Sequence, residues 1–283
     1  MTTTGEAGPP SPPDEALAAV RSFWNEQACG EIYTGLGELS RRDQLDAQAN
    51  ARYSLEPYLE PFARFGDGRE RAVLEIGVGM GADHLRWAQE APQRLVGVDL
   101  TPRAIALTSE RLRHHGLQSQ LLVCNAEHLP LPDDTFDLVY SWGVLHHTPR
   151  TEQAVAEVHR VLRPGGEARI MIYHRPSVVG LMLWARYALL KGHPRYTLTD
   201  IYARYMESPG TKGYTLAEAQ ALMGSFKHAE VRVQLAFGDL LLGEAGQRHR
   251  GVLLSVARRL WPRWAVRRFF PRLGLALLID AIK

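Results

Sequence analysis

The amino-acid sequence predicts an α/β fold with a doubly wound sheet, because two patterns begin together near Arg71. Short apolar runs of strand length alternate with stretches of helical periodicity. Alternation of this kind builds βαβ units, whose parallel strands are covered by helices on both faces of the sheet. A turn with three alternate glycines follows the first apolar run, at the position where ligands bind to such sheets.

The elements of the predicted sheet follow one another in regular order. We expect strands at residues 72–76, 95–98, 120–123, 136–140 and 168–173. We expect helices near residues 82–90, 102–115 and 151–162. Pro102 suits the first position of the second helix, where its missing N–H costs nothing.

The alternation stops after the fifth predicted strand. Residues 176–213 are aromatic and helical in pattern, and they predict a helical insertion. Thr215 and Glu218 have the spacing of a capping box and predict another helix. The last strands are predicted at residues 229–237 and 275–282.

The segment before the sheet has a different composition. Residues 1–14 contain four prolines and few groups to bury, so they predict a disordered N-terminus. Residues 15–68 are rich in helix formers and aromatic side chains and predict a helical cap, which ends at a Gly-Asp-Gly turn. Residues 69–283 would then form one α/β domain.

Composition excludes several classes of protein. The chain has 283 residues, 45% of them hydrophobic and 23% charged, which is ordinary for a globular protein and excludes collagen and wholesale disorder. A net charge of +2 gives no indication of nucleic-acid binding. Two cysteines without metal-ligand spacing predict a cytoplasmic protein with no metal site. The longest apolar run, at 178–190, is too short for the roughly 20 residues of a bilayer helix.

The glycine turn predicts a nucleotide-type cofactor. Gly77, Gly79 and Gly81 follow a buried strand, and glycine permits positive φ and close approach of a ligand to the backbone. Asp99 ends the next strand, where a carboxylate can accept hydrogen bonds from both hydroxyls of a ribose. Gly77, Gly79 and Ala82 also satisfy the fingerprint of NAD-binding folds, so the turn alone leaves the cofactor open.

The motifs after the later strands decide between these cofactors. They lie at residues 124–130, 132–139, 141–147 and 160–166. Together with the glycine turn they resemble the class I S-adenosylmethionine (SAM) methyltransferase family, specifically its small-molecule branch. The resemblance covers residues 71–173 strongly and 215–237 weakly. It implies a mostly parallel, seven-stranded Rossmann-like sheet with a reversed last strand, and methyl transfer from SAM to O, N or C of a small-molecule acceptor.

The resemblance also implies roles for individual residues. Glu75 would lie near the methionine end of SAM, and Ser141 under its sulfonium end. Asp99 would bind the ribose, with Leu100 beside it. Asn125 and Ala126 would meet the adenine. Asn125 departs from the family, which usually has Asp there, but an Asn carbonyl still accepts a hydrogen bond. The further cofactor-binding residues would be Gly77, Gly79 and Gly81.

Three histidines are candidates for a general base, because histidine titrates near neutral pH. His147 is the first choice because it follows the fourth strand, and His174 and His146 are the others. Arg175 would bind an acceptor carboxylate or phosphate, or else form an ion pair at the sheet edge. A carboxylate acceptor would need no base.

Two aromatic residues of the cap, Trp24 and Tyr33, are candidates for contact with SAM or the acceptor. The alternative is that both belong to the core of the cap, as aromatic residues at helical spacing usually do.

The C-terminal segment 248–283 is basic and aromatic. It holds nine Lys or Arg and a single acid, which leaves the rest of the chain with a formal charge of about −6. Three interpretations remain open: a packed helix with solvated arginines, peripheral membrane contact, and a lid over the acceptor.

The sequence leaves the acceptor and the oligomeric state undetermined.

Two other functions also fit part of the sequence. A non-catalytic SAM-binding regulator or complex partner would carry the same cofactor motifs. An NAD-type oxidoreductase would share the glycine turn but not the motifs that follow strands three to five.

Overall fold

The computed structural model describes residues 13–31, 40–242 and 259–283. The cap contains three helices, α1 (Pro13–Glu26), α2 (Arg41–Leu55) and α3 (Leu59–Ala63), and then a 3-10 turn at Phe65–Gly68. The first helix begins two residues before the predicted start of the cap, with Asp14 and Glu15 in its first turn, where acidic groups are favourable. Most of the predicted disordered N-terminus lies outside the described residues.

Seven strands form one sheet. They are β1 (Ala72–Ile76), β2 (Arg94–Asp99), β3 (Gln120–Val123), β4 (Phe136–Trp142), β5 (Leu162–Tyr173), β6 (His228–Gln234) and β7 (Ala276–Ile282). Their order is β3-β2-β1-β4-β5-β7-β6. The first five strands are parallel, and β7 runs antiparallel to both of its neighbours. The predicted doubly wound sheet with a reversed last strand is therefore confirmed.

Helices cover both faces of this sheet. They are α4 (Ala82–Gln89), α5 (Pro102–His114), α6 (Thr151–Val161) and, after two further helices, α9 (Leu216–Leu222). Leu74 and Ile76 of β1 pack on the face covered by α6 and α9, whereas Val73 packs on the face covered by α3, α4 and α5. Alternate residues of one strand thus belong to separate cores, and each fully buried side chain contributes about 1.5–3 kcal/mol.

The predicted insertion at 176–213 contains α7 (Val178–Trp184), a π-helical turn at Ala185–Leu189 and α8 (Leu198–Tyr205). Leu183, Ile201 and Tyr202 form a separate small core between these elements. Thr215 and Glu218 make the predicted capping box at the start of α9. Near the C-terminus lies α10 (Arg263–Phe269). The division of the chain into a cap and one domain stays a prediction.

Two strand boundaries differ from the prediction by three residues or more. β5 begins at Leu162 rather than Ala168, because Leu162 pairs with Phe136 before an irregularity in the register. β6 ends at Gln234 rather than Phe237, and the residues that follow form a turn instead. Within the described residues, no helix has the length and apolar character needed to cross a membrane. The cytoplasmic location stays a prediction.

A single buried carboxylate holds this turn in place. Asp239 is fully buried and accepts hydrogen bonds from the backbone amides of Val179 (3.2 Å), Ala236 (2.9 Å) and Leu275 (2.7 Å). These amides lie in α7, in the turn after β6 and in the approach to β7. Burial raises the pKa of Asp239 to about 6.

We expect Asp239→Ala to lower the free energy of unfolding by about 3 kcal/mol, because three buried amides lose their acceptor. Chemical denaturation measures this change. Asp133→Ala is the matched control, since Asp133 is exposed and has one ion pair, and its effect should stay within about 0.5 kcal/mol. Equal stability of the two variants would contradict the role given to Asp239.

Candidate active site

A cavity of about 510 Å³ lies at the carboxyl ends of the parallel strands. Its size falls within the range of roughly 300–1,000 Å³ that is typical of ligand pockets. The glycine turn, α1 and α2 line one part of it, and α7 and the turn around Asp239 line another. The cavity therefore joins the predicted cofactor-binding edge to the cap and the insertion.

The three glycines of the turn have different physical roles. All three have positive φ. A Cβ on Gly77 would lie 2.1 Å from Val144, and one on Gly81 would lie 2.8 Å from Thr108, so packing excludes any side chain at both positions. A Cβ on Gly79 would meet no atom within 4 Å. Gly77 and Gly79 line the cavity, whereas Gly81 does not and serves the packing of α5.

Asp99 lies at the end of β2 and lines the cavity. Its carboxylate accepts hydrogen bonds from the Gly79 amide (3.1 Å) and from the amide and hydroxyl of Thr101 (2.9 and 3.0 Å). Burial raises the pKa of Asp99. The three donors fix the orientation of the carboxylate, and lone pairs remain on its oxygens for a ligand.

Glu75 also lines the cavity and is buried in β1. Its Oε2 lies 2.9 Å from His84 Nδ1, and His84 Nε2 lies 2.7 Å from the Ser119 hydroxyl. Burial raises the pKa of Glu75 well above its ordinary value and lowers that of His84 to about 3. A neutral imidazole therefore positions Glu75 beneath the glycine turn.

Three further residues that were predicted to bind the cofactor lie on the cavity wall. Leu100, Asn125 and Ala126 all line it. The side-chain carbonyl oxygen of Asn125 accepts a hydrogen bond from the backbone amide of Glu127 at 3.0 Å. One lone pair of that oxygen is therefore already used, and the side-chain NH₂ is left as the donor of Asn125.

A cluster of charged residues that the sequence analysis did not select also lines the cavity. Arg52 of α2 makes a bidentate ion pair with Asp83 of α4, at 3.0 and 2.7 Å. Glu56 lies 3.4 Å from the same guanidinium, and the hydroxyls of Tyr53 and Tyr140 donate to Asp83. Asp83 and Glu56 together raise the pKa of Arg52, although its burial opposes this. The sequence analysis could not select this cluster, because Arg52 and Asp83 lie on two helices that only the fold brings together.

Ser141 does not line the cavity. It is fully buried, and its hydroxyl donates to the carbonyl of Ile76 at 3.2 Å. The side chain thus links β4 to the end of β1. This placement gives no support to the predicted contact with the sulfonium end of the cofactor.

His147 lines the cavity and sits in a defined hydrogen-bond network. Its Nδ1 lies 2.8 Å from the Ser208 hydroxyl and 3.0 Å from the Thr211 hydroxyl. Its Nε2 lies 3.5 Å from Glu207 Oε2 and makes no hydrogen bond to the described part of the chain. Glu207, which lines the cavity as well, accepts a hydrogen bond from Tyr173 at 2.8 Å.

The other two candidate bases lie outside the cavity lining. His146 is fully buried between His147 and Tyr173, and burial lowers its pKa well below the ordinary value. His174 is buried with Nδ1 2.9 Å from the carbonyl of Gly274. Neither side chain lines the cavity, so the geometry gives no support to either residue as a base.

Arg175 has the alternative role that the sequence left open. Its guanidinium pairs with the Glu218 carboxylate at 2.7 and 2.9 Å and donates to the carbonyl of Gly213. It does not line the cavity. The ion pair at the sheet edge replaces the predicted contact with the acceptor.

The structure describes one of the two aromatic candidates from the cap. Trp24 lines the cavity, and its ring stands edge-on to that of His147 with the centroids 5.3 Å apart. Tyr33 lies outside the described residues.

The remaining wall of the cavity is mainly apolar. It is formed by residues of α1, α7 and the turns after α8 and β6: Leu17, Val20, Val179, Met182, Leu183, Met206, Phe237 and Leu241. Trp261 completes it from the C-terminal segment. The sequence analysis could not select these residues, because they meet only in the folded chain.

Comparison with known proteins agrees with this geometry. Residues 74–170 match a family model described as "Methyltransferase domain". The match spans β1 to most of β5, which includes the glycine turn, Asp99 and Asn125. This segment is therefore similar to the methyltransferase domains of that family. The methyl donor of that family is SAM.

The curated relatives match between 36% and 50% of this chain. Erythromycin 3''-O-methyltransferase of Saccharopolyspora erythraea is 38% identical over 41% of this chain and 38% of its own length. Fatty-acid O-methyltransferase of Mycolicibacterium smegmatis is 35% identical over 45% of this chain and 44% of its own length. The chain spans between 27% and 56% of the length of the curated relatives it matches.

A solved structure extends the similarity of fold beyond the domain. Magnesium protoporphyrin IX methyltransferase from Synechocystis PCC 6803, solved with bound SAH, has a TM-score of 0.55. It is 12% identical, and the alignment covers 95% of this chain and 99% of that one. At this identity the likeness concerns the fold alone.

The residues of the methyltransferase domain fit SAM chemically. The cavity wall near β1 has three carboxylates, Glu56, Glu75 and Asp83, and the guanidinium of Arg52. Burial raises the pKa of Glu56 and Glu75, and a ligand that carries an ammonium and a sulfonium would favour their ionised forms. Asp99 keeps lone pairs for hydroxyl groups, and the space beside Gly79 is open.

We expect Asp99→Ala to weaken SAM binding by about 1.5–3 kcal/mol, or about tenfold to 150-fold, through loss of charge-assisted hydrogen bonds. Titration calorimetry measures this change. Arg175→Ala is the control, since Arg175 lies away from the cavity. Unchanged affinity in a folded Asp99→Ala protein would refute the ribose role.

Proposed function

We propose that the protein transfers the methyl group of SAM to an oxygen or nitrogen of a small, largely apolar acceptor. One observation carries the proposal: a single cavity joins the polar residues of the methyltransferase domain to an apolar wall built by the cap, α7 and the turn after β6. The polar part suits the cofactor. The apolar part suits an acceptor with extensive hydrocarbon surface.

The acceptor proposal also agrees with the printed names of relatives. The two curated relatives described above are O-methyltransferases of erythromycin and of fatty acids. Both acceptors are small molecules with large apolar surfaces. These names concern the relatives, and they support the acceptor class proposed for this chain.

SAM supplies an activated methyl group, so the protein's own task is to orient the acceptor and remove its proton. Held in line with the methyl carbon, an acceptor gains roughly 7–11 kcal/mol from proximity and orientation. Trp24 and Met182 on opposite elements of the cavity wall would exclude water from this space.

His147 is the proposed base, and two hydroxyl groups hold its Nδ1. The Thr211 hydroxyl donates to the carbonyl of Ser208 at 2.6 Å, so toward His147 it can only accept. The Ser208 hydroxyl lies 2.8 Å from the same nitrogen and can either donate to it or accept from it. In the tautomer whose Nδ1 donates to Thr211, Nε2 keeps a lone pair that would take the proton from the acceptor. Nε2 is buried in this structure, so an acceptor would have to displace a neighbouring side chain to reach it.

Glu207 would stabilise the protonated form of this base. Its carboxylate lies 3.5 Å from His147 Nε2 and is held by the Tyr173 hydroxyl. When Nε2 gains a proton, Glu207 becomes the counter-ion of an imidazolium. A general base of this kind adds about 10²–10⁴-fold to the rate.

The first experiment is transfer of a radiolabelled methyl group from SAM into a cell extract, followed by separation into organic and aqueous phases. Enzyme-dependent label in the organic phase supports the proposal. Label confined to the aqueous phase would contradict the apolar acceptor. No label, with SAM binding confirmed by calorimetry, would favour a non-catalytic SAM-binding protein.

We expect His147→Ala to lower turnover by about 10²–10⁴-fold with SAM affinity unchanged, because the variant loses the base but leaves the cofactor-binding residues in place. His174→Ala is the control and should retain turnover in the fraction that folds. Glu207→Gln should lower kcat less than His147→Ala does. Full activity of His147→Ala would remove it from the mechanism.

A further inference from the structure

The C-terminal segment presents an unusual surface beside the cavity. Leu260, Trp264, Phe269 and Phe270 are exposed, with 77%, 71%, 61% and 48% of their surface accessible. Large apolar side chains at this exposure are unfavourable in water when they gather on one element. All four lie within or next to the short helix α10.

Arginines surround these apolar side chains. Arg259, Arg267, Arg268 and Arg272 are exposed, and none of them forms an ion pair with a carboxylate of the described residues. This differs from the rest of the described surface, where many arginines have acidic partners. Residues 259–272 contain no Asp or Glu at all, whereas the body of the chain is acidic.

The orientation of α10 separates these groups from the core. Val266 is buried against Val178 and Leu240, and it lies about 200° around the helix from Trp264. Trp264 and Arg268 are four residues apart and share the outward face. One side of α10 is therefore anchored, and the other presents an aromatic ring between cations.

The anchor of α10 belongs to the cavity wall. Trp261, which lines the cavity, donates its indole N–H to the carbonyl of Asp239 at 3.0 Å. Met182 of α7 packs in the same cluster as Val266 and also lines the cavity. The exposed surface thus lies on the element that closes the apolar part of the cavity.

We propose that this surface, formed by Leu260, Trp264, Phe269 and Phe270 with the four surrounding arginines, docks on an anionic lipid bilayer. Aromatic and aliphatic side chains would enter the interface, and the guanidinium groups would pair with lipid phosphates. An apolar acceptor dissolved in the bilayer would then reach the cavity without crossing water. Membrane docking does not require methyl transfer, so the two proposals can fail separately.

Charge favours the bilayer over a second copy of the chain. A two-fold dimer through this surface would bring Arg267 and Arg268 close to the same residues of the partner. Like charges at close range oppose such an interface. An anionic lipid surface instead complements every cation of the patch.

The test is cosedimentation of the full chain with vesicles of phosphatidylcholine mixed with phosphatidylglycerol, against vesicles of phosphatidylcholine alone. We expect binding to the anionic vesicles that weakens with salt. The double variant Arg267→Glu, Arg268→Glu should bind at least about tenfold more weakly, since each basic residue near the surface contributes about 1 kcal/mol. Equal binding of this variant would overturn the proposal.

A matched control reverses the same charge elsewhere. Arg69→Glu, Arg113→Glu changes two exposed arginines remote in sequence from α10, and it should bind vesicles like the unmodified chain. Equal loss in both double variants would show a general effect of net charge and would overturn the docking surface.

A second measurement locates the contact. Vesicles that contain brominated lipid should quench tryptophan fluorescence, and Trp264→Phe should lose most of that quenching while SAM affinity stays unchanged. Unchanged quenching in Trp264→Phe would overturn the assignment. Two other results would also overturn the proposal. One is a concentration-dependent dimer, observed by light scattering, that Trp264→Ala dissociates. The other is binding to an RNA oligonucleotide without binding to vesicles.

Discussion

The ion pair between Arg52 and Asp83 is the interaction on which the arrangement of the cavity depends. It joins α2 of the cap to α4 at the glycine turn, with 21% of the Arg52 side chain and 5% of the Asp83 side chain exposed. The hydroxyls of Tyr53 and Tyr140 also donate hydrogen bonds to the Asp83 carboxylate, and Glu56 is a second acidic partner of Arg52. Removing one partner of such a pair costs about 3–5 kcal/mol, because the other charge stays buried.

The cavity has two parts with different physical origins. Its polar part follows from topology, because the ends of adjacent parallel strands bring Glu75 and Asp99 to one edge of the sheet. Its apolar part is made of segments distant in sequence, which Asp239 ties together through backbone amides. His147 and Glu207 lie on the lining that both parts share.

The histidines show why motif position alone does not identify a base. His146 and His147 are neighbours in a 3-10 turn, yet only His147 reaches the cavity. The side chain of His146 points into a packed layer against Tyr173, where burial keeps the imidazole neutral. His174 and Arg175 follow the end of β5, and their partners come from Gly274 and Glu218, far along the chain.

The sequence by itself determined the strands and the glycine turn, because strand periodicity and positive φ are local properties of the chain. The reversed last strand followed from the family resemblance and not from these local patterns. It also predicted Asp99, Asn125 and His147 for the site, since each lies within seven residues after the end of a predicted strand. Tertiary structure alone decided which charged and apolar residues surround the acceptor space. Arg52, Glu207, Met182 and Trp261 lie in four separate segments, and only long-range packing brings them to one wall.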